Sequence, residues 1–520
     1  MWLNLSASIY INDMVMNMKR QNHTFVKTKK ILRMSFRVFM GLLLFVGVVS
    51  GKPADRPLML KGVVVDEEGK GIAGVVVNNG REFCKTDRRG AWQLSTDTTV
   101  SKFVSISTPR EYRLPEKDGI ASGYYIPVGE AVANRNTNTF RLQRRDSVSD
   151  RFHYIAISDP QILNAHDMKR WRNETMPSIL RTALQLRKTG DVVGMTLGDV
   201  VFDNMNIYPQ YVESIKNHRM TFFQCIGNHD FEKAYADLHN SSVGAERYAE
   251  QMFGRYFGPV NYSFNIGNAH VVTIKSINYR GGCHYEEEIT EEDLRWLERD
   301  LSYVPKDRLV ILNMHAPGWN AMEPIDNILN AKRLEEILAP YDAHVFAGHT
   351  HFFENVEVSP RLYQHNIGSA CGAWWTSNIC RDGSPNGYMV VTVDGKKLRW
   401  KYRSANSKSD VQMRVYKPGE FRTQKDFIVA NVWEWDPHCR VVWYEDGKYK
   451  GLMQRFVDND EAFLRTKPRK HQLAKTGHLF RARPTSKKYR YIKVIFINRF
   501  GETFTWKWEN RNNRPFLLDK

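Results

Sequence analysis

Five short runs of residues able to bind metal ions occur in order along the middle of the chain. They are Ser158-Asp159-Pro160-Gln161, Gly198-Asp199, Gly227-Asn228-His229-Asp230, Asn313-Met314-His315 and Gly348-His349-Thr350-His351. Brought together, they would offer carboxylate and amide oxygens and three or four imidazole nitrogens. Such donors suit two hard-to-borderline divalent ions rather than a thiolate-held structural zinc. The six cysteines contain no Cys-x-x-Cys pair, in keeping with that. Cys371 and Cys380 are close enough in sequence to pair in an oxidising compartment, which sequence alone does not decide.

Most of these runs follow apolar stretches of strand length: Phe152–Ile157, Val192–Leu197, Thr221–Ile226, Leu309–Asn313 and His344–Ala347, with Val271–Ile274 a further one. Helical patterns lie between them, and Thr290-Glu-Glu-Asp293 opens one with a capping-box signature. Fully apolar strands alternating with helices imply an α/β core whose sheet is covered on both faces. In such folds ligands bind beyond the carboxyl ends of the strands, which is where the five runs fall. Residues 57–145 read instead as short strands broken by Gly and Asp-Arg-Arg-Gly turns, a small antiparallel sandwich. After residue 371 strands dominate again, and 491–508 has the pattern of a hairpin turning at Asn498–Gly501.

The five motifs, in this order, resemble the calcineurin-like metallophosphoesterases over roughly 152–370. With 57–145, Cys371-Gly-Ala-Trp-Trp375 and Pro385-Asn-Gly-Tyr388, the chain is similar to the exported bacterial three-domain type. The resemblance implies a signal peptide at 1–50 and a transthyretin-like or carboxypeptidase-regulatory-like β-sandwich at 57–145. It implies a four-layer α/β/β/α sandwich core at 150–370 and a β-rich basic domain at 371–520. It implies that Asp159, Gln161 and His351 hold one divalent ion and that Asn228, His315 and His349 hold another. Asp199 would bridge them, and the ions would be Mn, Fe, Zn or Mg. His229 would act as general acid while a metal-bridging hydroxide attacks a phosphomonoester or phosphodiester. Two departures stand out. Gln161 replaces the commoner His, with His153 and His166 as less favoured substitutes, and Phe202 stands where some relatives carry Tyr or Asp, with Asp203 one residue later. Phe202 argues against the tyrosinate-iron subgroup, and Asp203 is a candidate support for His229. Trp319, Trp374 and Trp375 are candidates to line a substrate cleft. The competing expectation, from Gln161, is a weak or inactive phosphoesterase fold that binds anionic envelope or glycan surfaces.

Charge adds a second layer. Of the net +18, residues 1–50 carry +6 and 461–520 carry +12, while the 410 residues between carry 52 basic and 52 acidic groups. Lys27–Arg37 precede the apolar run Val38–Val49 and Ser50-Gly51, a pattern for export to the periplasm or medium, and no lipoprotein cysteine follows. The run is too short to span a bilayer. Lys467–Lys470, Arg481–Arg483 and Lys487–Arg490 make the C-terminal domain a candidate for polyanions or anionic membrane surfaces. Nucleic acid is not expected as a partner, because no binding module is recognisable.

Overall fold

A computed structural model describes residues 58–510, apart from 239–244, 409 and 487. The expected signal segment and Lys487 lie outside the described residues. Two sheets form the centre. One has seven strands in the order Lys397–Ser404, Gly387–Asp394, Arg151–Ile157, Asp191–Leu197, Thr221–Cys225, Ile120–Ala121 and Glu116–Lys117. The other has six: Tyr262–Ile266, Ala269–Thr273, Leu309–Asn313, Asp342–Ala347, Leu362–Asn366 and Glu354–Ser359. The chemistry-bearing strands Arg151–Ile157, Asp191–Leu197 and Thr221–Cys225 run parallel, as do Leu309–Asn313 and Asp342–Ala347.

Alternation along each strand builds the layers. Tyr154, Ala156, Val193, Met195 and Leu197 point between the sheets and meet Val271, Ile311 and Phe346. The rings of Tyr154 and Phe346 lie 5.4 Å apart across that layer. Ile155 and Ile157 take the opposite face, with Ile179 and Ala183 of the helix Met176–Leu186. Val272, Val310 and Leu312 do the same for the second sheet, with Leu294 and Leu297 of the helix Glu291–Leu301. The Thr290 hydroxyl caps that helix by accepting from the Asp293 amide at 3.2 Å. The result is the expected α/β/β/α sandwich.

The core sheet runs past the boundary expected at 370. Gly387–Asp394 pairs antiparallel with Arg151–Ile157, and Lys397–Ser404 pairs with Gly387–Asp394. From the other side, Ile120–Ala121 of the N-terminal region adds to the edge at Phe222. The N-terminal domain otherwise holds a three-stranded and a four-stranded sheet, and the C-terminal domain two four-stranded antiparallel sheets over their own core. Its last two strands, Tyr491–Ile497 and Thr503–Glu509, form the hairpin read from the sequence. Cys371 and Cys380 are buried free thiols. Among the described residues, no helix is long and apolar enough to cross a membrane.

Candidate metal centre

The five motif loops meet at the carboxyl ends of their strands, and the backbone there is unusual. Asp159, Gln161, Asp199, Asp203, His349 and His351 all have positive φ, between 43° and 72°. Non-glycine residues rarely adopt this conformation, and it concentrates where surrounding structure imposes it for a purpose. Gly348 fits for a related reason: a Cβ there would lie 2.0 Å from Ser158 Oγ and 2.7 Å from Asp159 Oδ2.

His315 is the hub. Its Nδ1 lies 2.8 Å from the Leu197 carbonyl and donates to it, so Nε2 carries the lone pair. Around Nε2 lie Asn228 Oδ1 at 3.0 Å, His349 Nδ1 at 3.2 Å and Asp199 Oδ1 at 3.3 Å. Lone pairs converging at this spacing, buried at Asp199, Asn228 and His315 and partly so at His349, call for a cation among them. The electrostatics of the cluster agree. Burial works against a charged His315, but the carboxylates of Asp199 and Asp159 outweigh it and lift the imidazole to about 9. Burial would likewise raise Asp199, yet His315 and His229 hold it well below the ordinary carboxylate range. The cluster demands positive charge, from protons or from a metal ion.

The other half of the centre contains Asp159, Gln161 and His351. Asp159 Oδ1 and Gln161 Oε1 are buried acceptors without a hydrogen-bond partner, the costliest condition for a polar atom and one that a bound cation removes. His351 Nε2 lies 3.4 Å from Asp159 Oδ1, while its Nδ1 donates to the Gly372 carbonyl at 3.1 Å. Gln161 Nε2 donates to Asp199 Oδ2 at 2.8 Å, so Asp199 faces both halves. The donor set therefore fits two ions, one held by Asp159, Gln161 and His351, the other by Asn228, His315 and His349, with Asp199 shared. His153 does not substitute for Gln161: it sits within its strand between Thr392 Oγ1 at 3.0 Å and Thr189 Oγ1 at 2.8 Å. His166 lies against neighbouring Asp167 with an exposed ring.

His229 adjoins this cluster. Its backbone amide donates to Asp199 Oδ1 at 2.8 Å, and its ring Nδ1 lies 2.9 Å from Asp203 Oδ2. Lys233 Nζ completes the line at 2.7 Å from Asp203 Oδ1. Phe202 stacks on the His229 ring at 4.0 Å. Asp203 thus contacts His229 and Lys233, and the shift by one residue relative to relatives does not separate it from the histidine.

Of the three tryptophans expected to line a cleft, Trp375 is the one the structure places elsewhere. Trp375 is buried, and its indole N–H is occupied by the Pro160 carbonyl at 2.8 Å, so it is part of the wall behind the first motif. Trp319 is partly buried against the core. Trp374 is half-buried and stacks on His351 at 4.7 Å. A hairpin, Ile277–Gly281 with His284–Glu287, brings Glu287 Oε1 to 3.3 Å from His349 Nε2. Donor atoms of Glu287, Asp326 and His349 lie within 4.8 Å of one another. Gly281-Gly282 between two strand-like segments was the signal for that hairpin. A carboxylate on the far nitrogen of a ligating imidazole fixes the tautomer that presents the other nitrogen.

A four-layer sandwich with oxygen and nitrogen donors gathered at its strand ends defines a metallophosphoesterase-type protein. Family comparison makes this specific. Residues 152–353 match the calcineurin-like phosphoesterase model, 58–145 the model for the N-terminal part of such proteins, and 364–504 the model for their C-terminal part. The chain belongs to the calcineurin-like phosphoesterases, a family of dinuclear metal enzymes. It is 27% identical over 160 residues to the 3',5'-cyclic adenosine monophosphate phosphodiesterase CpdA of Escherichia coli strain K12, a match spanning 30% of this chain and 52% of that protein. Similar solved structures include a dimetal phosphatase from Danio rerio (14% identity, 49% of this chain, 96% of that one, TM-score 0.35). A purple acid phosphatase from yellow lupin is also similar (14% identity, 49% of this chain, 52% of that one, TM-score 0.36).

Proposed function

We propose that the protein is an exported, dinuclear metal-dependent phosphoesterase acting on phosphomonoesters or phosphodiesters. The observation that carries this is the convergence of Asp199, Asn228, His315 and His349 donor atoms, 3.0–3.3 Å around His315 Nε2, with His229 beside them. Metal ions bound there would supply the charge that acidifies water and neutralises phosphoryl oxygens.

The chain's own residues do the rest. Asp203 accepts the Nδ1 proton of His229 and stabilises the imidazolium, leaving Nε2 to hand its proton to the departing ester oxygen. Lys233 holds Asp203, and Phe202 fixes the plane of the ring. The acid is therefore preorganised rather than recruited. The activity of the Escherichia coli relative adds cyclic phosphodiesters to the candidate substrates. The exposed Lys467, Arg469, Lys470, Arg483, Lys488 and Arg490 support binding of the C-terminal domain to an anionic surface, tested by salt-sensitive sedimentation with anionic vesicles. Amino-terminal sequencing of the exported protein tests removal of residues 1–50.

The direct test of mechanism is His229→Ala. Turnover of p-nitrophenyl phosphate or its bis-ester should fall by about 10²–10⁴-fold with metal content per chain unchanged. Full activity in that variant would remove the acid assignment. The second reading, a binding protein with a weakened site, rests on Gln161, a neutral donor weaker than imidazole. It would be favoured by a chain that retains its ions and hydrolyses neither ester.

A further inference from the structure

The segment Ala370–Thr376 is wrapped along the backbone of the first metal motif. Three successive carbonyls of that motif are taken by it: Ser158 O accepts from the Ala370 amide at 2.7 Å, Asp159 O from the Cys371 amide at 3.3 Å, and Pro160 O from the Trp375 indole at 2.8 Å. The same segment holds the histidine across the site. Gly372 O accepts from His351 Nδ1 at 3.1 Å, and the Trp374 ring stacks on the His351 imidazole at 4.7 Å and 26°.

Its conformation is imposed. Trp374 and Trp375 are consecutive bulky residues with φ of 49° and 57°, a region such side chains rarely enter. Arg170 locks the turn from behind. Its guanidinium donates to Trp375 O at 2.5 Å and to Asn378, lies 5.1 Å from the Trp375 ring centroid, and is itself held by Glu174 at 2.8 Å. Outliers of this kind persist where the surrounding structure over-determines them, often as part of a site's preorganisation.

We propose that Trp374, Trp375 and Arg170 are positioning residues for the Asp159–Gln161–His351 half of the centre, setting how tightly its ion is held. The proposal rests on the two-ion reading above. Gln161 gives that half a weak donor, and its side-chain amide also donates to Asp199. Affinity there depends on holding Asp159 and His351 at fixed separation, and the wrapped segment contacts the backbone of one and the ring of the other. The Asn228–His315–His349 half has its own supports, Leu197 O on His315 and Glu287 on His349. Damage to the tryptophan turn should therefore empty one half selectively.

The experiment uses the full chain, stripped of metal and titrated with Mn²⁺. Ions retained per chain are read by mass spectrometry, and binding is followed by tryptophan fluorescence quenching. Wild type should bind two ions. Trp374→Ala should bind one ion as wild type does and the other about 10–100-fold more weakly, the usual cost of losing an outer-shell partner. Trp374→Phe, which keeps a stacked ring, should restore two-ion binding while lacking the part of the quench contributed by the indole over His351. Arg170→Met should resemble Trp374→Ala with the same far-ultraviolet dichroism as wild type. Unchanged binding of both ions in Trp374→Ala, or equal loss of both in the Ala and Phe variants, would overturn the proposal. Fewer than two ions in wild type would instead sink the two-ion reading itself, and the proposal with it.

Discussion

His229 gains its function from neighbours rather than from identity. A histidine with one carboxylate on Nδ1 and a stacked ring has a single orientation, and Asp203 and Phe202 provide both. Asp203→Asn should keep the ring in place yet weaken the stabilisation of its charged form. We expect a loss in kcat of about 10–100-fold with both ions retained, measured on either nitrophenyl ester. An unchanged kcat would leave Lys233 and Asp203 as a surface pair with no part in the reaction. At this scale the meeting of the candidate donors was legible in the sequence because the motifs lie at or just after strand-length apolar runs, and three of the five open with glycine. What was not legible were contacts made by distant segments. Glu287 reaches His349 from a separate hairpin, and Trp375 turns its indole to Pro160, 215 residues away in sequence. Only the packed sheet order produces those encounters.

Elements decide which loops come together, and the tolerance of those loops is small. In Gly348→Ala the new methyl would press on Ser158 Oγ and Asp159 Oδ2 from the opposite loop. The expected outcome is a folded chain with reduced ion content, seen by comparing circular dichroism with mass spectrometry; full ion content would show the two loops to be freer than described. Strands and helices of the core were readable because the strands were continuous apolar runs and helical patterns lay between them. The ownership of Gly387–Ser404 was not, since these strands alternate as well as any in the C-terminal domain, and only pairing with Arg151–Ile157 assigns them to the core sheet. At that junction Glu434 is buried, accepting from the Tyr402 amide at 2.9 Å and Asn498 Nδ2 at 3.0 Å. Burial pushes its carboxyl up to about 7 from an ordinary 4.5, against the pull of those two donors. The folded chain therefore keeps a proton that the unfolded chain has lost between those values, and stability falls as pH rises through that window. The loss approaches about 3 kcal/mol above it. Glu434→Gln should flatten the dependence, as measured by urea unfolding on both sides of the window; a slope equal to wild type would assign it to other groups.

Across the whole molecule, the metal loops are bolted to the C-terminal domain. Buried Arg381 pairs through two bonds with Glu323 at 2.7 and 2.8 Å, donates to Thr350 O between the two ligand histidines at 2.9 Å, and reaches Gln472 O at 3.1 Å. Asp382 accepts from the Phe353 amide at 2.7 Å and contacts His478 at 3.0 Å. Arg381 is buried and Glu323 partly so, and Arg381→Met leaves that carboxylate and the Thr350 and Gln472 carbonyls without their donor, so it should cost about 1–3 kcal/mol in urea unfolding. A cost below about 1 kcal/mol, the range of exposed pairs, would mean that the clamp is ornamental to the fold. The three-part organisation was visible from the changes of strand and helix pattern along the chain and from the family resemblance, whereas this interlock was not, because Arg381 and Asp382 carry no pattern that marks them as buried. The central claim, a two-ion phosphoesterase, is met most directly by one titration. Stripped protein is reloaded with Mn²⁺, and hydrolysis of p-nitrophenyl phosphate and bis-p-nitrophenyl phosphate is followed against ions retained per chain. For a two-ion phosphoesterase, turnover should rise with the second ion and level near two per chain, the faster ester naming the substrate class. Two retained ions with no turnover of either ester, or no retained ions at all, would contradict it.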